Sequence, residues 1–85
     1  MLTDLIMQAE YEVARFLASS PTAEEIARYH LSAPLAARYY DLVDAEREGK
    51  LDPAELLELE AFMGIEHFMR LIKAEAQKRL NQQAS

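Results

Sequence analysis

The sequence predicts an all-α fold, a small bundle of three shorter helices packed around one long C-terminal helix. Three observations lead there. Apolar residues recur at spacings of three and four along most of the chain, and no stretch alternates as a strand does. The breakers are few, two Gly and three Pro in 85 residues. Each Pro follows a Ser or Asp by one or two residues, the pairing that opens a helix.

Helix one is expected over residues 2–18, with Leu2, Leu5, Ile6, Ala9, Val13, Phe16 and Leu17 on one face. Asp4, Gln8, Glu12 and Arg15 form the opposite, wet face. Ser19-Ser20-Pro21 ends it. Thr22 and Glu25 then form a capping box, in which each side chain satisfies the other residue's free backbone N–H. Helix two follows over residues 23–30, with Ile26, Ala27 and His30 inward. Ser32 caps helix three, residues 33–48, whose apolar face is Leu35, Ala36, Tyr39, Tyr40, Leu42 and Val43. Arg38, Asp41 and Asp44 are its wet face. Helix four runs over residues 53–80, with acids early and bases late, as the helix dipole prefers. The tail, residues 81–85, is expected to fray. The whole reads as a single helical domain, residues 1–85.

Composition removes several function classes. There is no cysteine, which excludes disulfides, thiolate metal sites and Cys nucleophiles. No run approaches the ~18 apolar residues of a membrane span. Asp4 near the start, with no basic region, argues against a signal peptide and for a cytoplasmic protein. The net charge is −6, the wrong sign for direct nucleic-acid binding. It is also unevenly placed. Residues 41–66 hold nine acids and two bases, whereas residues 67–85 hold one acid and four bases. The acidic middle suits a basic partner. An acidic DNA mimic is a further alternative, for which this charge is modest.

The segment Asp44 to Glu55 carries a sharper alternative, a calcium-binding regulator. Asp44, Glu46, Glu48, Asp52 and Glu55 stand where an EF-hand loop places its acids, with Gly49 and Leu51 at the loop's glycine and apolar positions. The turn reading competes, and it explains more. Glutamates at the second and third acidic places crowd a loop built for shorter side chains. Asp52-Pro53-Ala54-Glu55 is already a complete helix start. Gly49 suffices as the residue that ends a helix. The sequence therefore assigns no metal site and no cofactor. His30 and His67 are far apart, and no phosphate loop or nucleophile motif exists, so no enzyme activity is expected.

Helix four is the most informative element. Ile65, Phe68, Met69, Ile72, Ala76 and Leu80 make one apolar stripe. Leu56, Leu59, Met63, His67, Leu71 and Ala74 make a second, rotated far around the axis. One stripe suffices to seat a surface helix. Three short helices struggle to cover both, so a partner surface is expected, drawn from Met63, His67, Phe68, Met69, Leu71 and Ile72. Methionine and phenylalanine suit such an interface.

Residues 19–80 resemble a group of small bacterial helical proteins frequent in cyanobacteria. The likeness rests on Ser20-Pro21-Thr22, Glu24-Glu25-Ile26, Arg47-Glu48-Gly49, Leu51-Asp52-Pro53 and the run Glu66-His67-Phe68-Met69-Arg70-Leu71-Ile72-Lys73-Ala74. Helix one lies outside it. Such proteins look like antitoxin-type partners of nuclease-like proteins. The resemblance implies a protein–protein role and transfers no catalytic residue. The group carries Thr where this chain has Asp52, a cap rather than a calcium ligand. The expected function is a non-enzymatic interaction module that holds a basic protein, a toxin or nuclease, or a second copy of itself.

Overall fold

The computed structural model describes residues 2–84 and is all-α. Its helices are α1 (Leu2–Ala18), α2 (Ala23–Arg28), α3 (Ala33–Arg47) and α4 (Pro53–Ala84). α4 has 32 residues, about 48 Å at ~1.5 Å per residue. That matches the long axis of the 49 × 24 × 17 Å molecule. α1, α2 and α3 each pack on α4 and touch one another little.

Local chemistry sets most helix ends. The Thr22–Glu25 capping box is formed, with Oγ1 accepting from the Glu25 amide at 3.1 Å and the Glu25 carboxylate accepting from the Thr22 amide at 2.9 Å. These bonds, the backbone one foremost, hold the Glu25 carboxyl below its ordinary value. α3 ends at Gly49, which adopts φ +69°. The Lys50 amide donates to the Ala45 carbonyl at 2.9 Å, closing the last turn around the left-handed glycine. Asp52 and Glu55 form a second capping box, at 2.8 and 3.2 Å.

Several expectations are corrected. α2 stops at Arg28, because Tyr29 turns extended and stacks its ring on Phe16 at 4.0 Å. This leaves His30 exposed rather than inward. Ser32 makes no side-chain cap. Instead Glu12, assigned to the wet face of α1, accepts a 3.0 Å hydrogen bond from the Ser32 amide and so caps α3 from outside. Tyr40 points to solvent. The tail continues as helix to Ala84, because nothing after Leu80 breaks it and the Gln77 amide reaches Asn81 Oδ1 at 3.1 Å, one turn on. Ser85 and the side chain of Leu2 lie outside the described residues.

The core joins Ala9 and Val13 of α1, Leu31, Leu35 and Leu42 around α3, and Leu59, Phe62 and Met69 of α4. Phe62 is fully buried, its ring 5.9 Å from that of Tyr39. It belongs to neither stripe expected of helix four. Glu58 is also buried. It takes two hydrogen bonds from Arg38, Nε at 3.0 Å and Nη2 at 2.7 Å. Arg38, placed on the wet face of helix three by its sequence neighbours, is thus the tie between α3 and α4. The bond to Glu58 is the chief cause that lifts the Arg38 guanidinium further above its ordinary value.

Candidate functional site

The packing uses one side of α4. The buried positions Glu58, Leu59, Phe62, Met69 and Ala76 all face the three shorter helices. On the other side Leu56, Leu57, Met63, Phe68 and Leu71 are exposed. They lie on the face turned away from the core and span 16 residues, ~24 Å of helix. Scattered single apolar residues need no explanation, but five large ones on one side of one helix do.

The patch reaches beyond α4. A groove of about 530 Å³ runs between α1 and α4, lined by Ile6, Val13, Leu17, Ala61, Ile65 and Phe68. A second, of about 430 Å³, lies between α2 and the C-terminal half of α4, where Ile26, Leu71, Ile72 and Ala76 meet. Phe68 and Leu71 therefore stand on the rims of two apolar grooves, 53% and 54% exposed.

Of the six residues expected to bind a partner, Met63, His67, Phe68 and Leu71 are open to solvent. Ile72 is half-buried between α2 and α4. Met69 is a correction: at 6% exposure it is a core residue, and it sits beneath Lys73, whose Nζ donates to the Tyr29 carbonyl at 2.9 Å. Leu59 likewise leaves the second stripe for the core. Leu57, which the sequence reading passed over, joins the exposed face. Its place two turns before Gly64 and four before Leu71, on the same line of the helix, is the available signal.

The candidate calcium segment is differently employed. Helix α3 continues through Asp44 and Glu46, so no loop surrounds an ion. The Asp44 carboxylate lies 4.0 Å from Arg47, and Glu48 pairs with Lys50 at 3.0 Å. Asp52 and Glu55 are committed to their capping box, and the other oxygen of Glu55 lies 3.9 Å from Arg38. Among the described residues, no three His, Cys, Asp or Glu side chains converge as metal ligands.

A smaller cleft of about 250 Å³ brings together His30, Tyr39, Tyr40, Glu66, Arg70 and Lys73. Its chemistry is mixed, and Lys73 is already spent on the Tyr29 carbonyl. Among the described residues, no helix is long and apolar enough to cross a membrane. Family models, curated proteins and solved structures were compared with the chain, and none matches it.

Proposed function

We propose that this chain is a non-enzymatic, cytoplasmic protein–protein interaction module that binds through the outward face of α4. One observation carries the reading: Leu56, Leu57, Met63, Phe68 and Leu71 are all exposed on the outward side of α4, interleaved with Glu60, Gly64 and His67. Burying such side chains against a partner is worth ~1.5–3 kcal/mol each when complete. The acids of residues 41–66 favour a partner with a basic rim. Glu58 is withdrawn from that role because it is buried against Arg38, while Asp44, Glu48 and Glu55 also have basic neighbours within the chain. The antitoxin-type pairing with a nuclease-like protein, implied by the resemblance of residues 19–80, is the specific form of this reading.

The test is affinity capture from nuclease-treated lysate of the source organism, with the wild-type chain and a Phe68→Glu/Leu71→Glu variant as parallel baits. Both substitutions sit on the exposed face, so helix content by circular dichroism should be unchanged. A companion, including an untagged copy of the chain, should be held by the wild type and lost by the variant. Identical eluates from the two baits would refute the reading. Met69 is unsuitable for this purpose, because truncating it opens the core.

A further inference from the structure

The exposed face of α4 has an order beyond its apolar content. Leu57, Glu60, Gly64, His67, Leu71, Ala74 and Lys78 recur at alternating steps of three and four residues, and all seven are exposed. That is the spacing along which two helices pair lengthwise, here with Leu57, Leu71 and Ala74 as its apolar positions. Its charges are polarised: Glu60 lies near one end and Lys78 near the other. Among the described residues neither takes part in an ion pair within the chain.

We infer that the partner on this face is a second copy of the chain, with the two α4 helices paired antiparallel about a two-fold axis. A parallel pair would set Glu60 against Glu60 and Lys78 against Lys78. The antiparallel pair sets Glu60 of each protomer opposite Lys78 of the other. One register pairs six of the seven positions with one another and leaves Leu57 opposite Asn81. When Glu60 faces Lys78, Gly64 faces Ala74 and His67 faces Leu71, and symmetry repeats each contact on the other side of the axis. The basic rim sought by the acidic half of α4 is then the C-terminal half of another α4.

Gly64 supports the same geometry. A glycine inside a helix is unfavourable relative to alanine. Within the chain nothing calls for it, since a Cβ there would meet no atom within 4 Å. Opposite Ala74 of a second helix it forms a small-against-small layer that lets the two axes approach.

This inference rests on the outward face being a binding surface, and the experiment separates the two. Light scattering and sedimentation equilibrium on the purified chain should show a dimer. Glu60→Lys alone and Lys78→Glu alone should each weaken it about tenfold or more, since each leaves two like-charged pairs in place of two opposite ones. The Glu60→Lys/Lys78→Glu double variant, which restores both pairs in reversed sense, should recover the wild-type constant. Leu71→Glu should abolish the dimer with helix content unchanged. A wild-type chain monomeric to about 1 mM would overturn the inference, as would a dimer indifferent to Leu71→Glu or a double variant weaker than either single one. If the chain is monomeric yet the capture described above still yields a face-dependent companion, the second copy is the wrong occupant and the binding surface stands. If it is monomeric and the eluates are identical, both fail.

Discussion

On the inner side of α4, Phe62, Leu59 and Met69 are sealed by α1 and α3. On the outer side, Phe68, Leu71 and Met63 stand in solvent. The two sides carry the same residue types, Leu, Phe and Met. What separates them is what comes to meet them: Arg38 reaches across to Glu58, Tyr39 meets Phe62, and the Tyr29 carbonyl takes Lys73. Hydrophobicity makes a face able to be buried. The polar ties from neighbouring helices decide which face is.

This comparison can be broken by substitution, and the largest effect belongs to the inner side. Phe62→Ala should cost about 3–5 kcal/mol, a large part of the ~4–13 kcal/mol available to a chain of this length. Phe68→Ala, of equal chemistry but half exposed, should cost only about 1 kcal/mol. Urea denaturation in a Leu71→Glu background keeps association out of both measurements. If the two variants lost similar stability, the division of α4 into core and free face would be wrong.

The next effect tests the polar tie. Arg38→Ala leaves the Glu58 carboxylate buried without its partner, which costs ~3–5 kcal/mol in a fully enclosed pair. Arg38 is 27% exposed, so water softens the loss to about 2 kcal/mol. Arg38→Met with Glu58→Leu should regain most of it, because an apolar pair of similar size also fills the space. Denaturant midpoints of the single and double variants decide the matter.

The outer side offers a change of opposite sign. Gly64→Ala should raise the stability of the same monomeric background by about 1 kcal/mol, read as an upward shift in melting temperature. A loss instead would mean that something within the chain does need the glycine. The smallest effect lies away from both sides, at the α2 cap. The folded Glu25 carboxyl titrates below its ordinary value of 4.5. Its contribution is therefore present above that value and fades as pH falls through the lower, folded one. An NMR titration of the Glu25 carboxyl carbon should show the depressed midpoint, and Thr22→Ala should return it toward normal.

The same comparison explains which features could be read from sequence. The four helices, the two capping boxes and Gly49 at the end of α3 were legible because their causes lie within a few residues of chain. Phe62, Met69 and the Arg38–Glu58 tie were not. Glu58 reads locally as an acid favouring a helix start, and only a distant arginine makes it a buried residue. Glu12 likewise reads as solvated until Ser32, 20 residues on, presents an unpaired amide. Two apolar stripes on helix four signalled that one was surplus. Periodicity alone could not say that Met69 belonged inside and Leu57 outside.

Helix α4 has one further consequence, for synthesis of the chain. Beyond the Phe16–Tyr29 stack and the Glu12–Ser32 bond the three shorter helices meet one another little, and the wall that each packs on is made last, by residues 53–84. A nascent chain that has released α1, α2 and α3 has nothing to close them against, and Leu35, Leu42 and Val13 remain uncovered. Folding must therefore wait for most of α4 to leave the ribosome. The 44-residue reach from Tyr29 to Lys73 is then among the last connections to form.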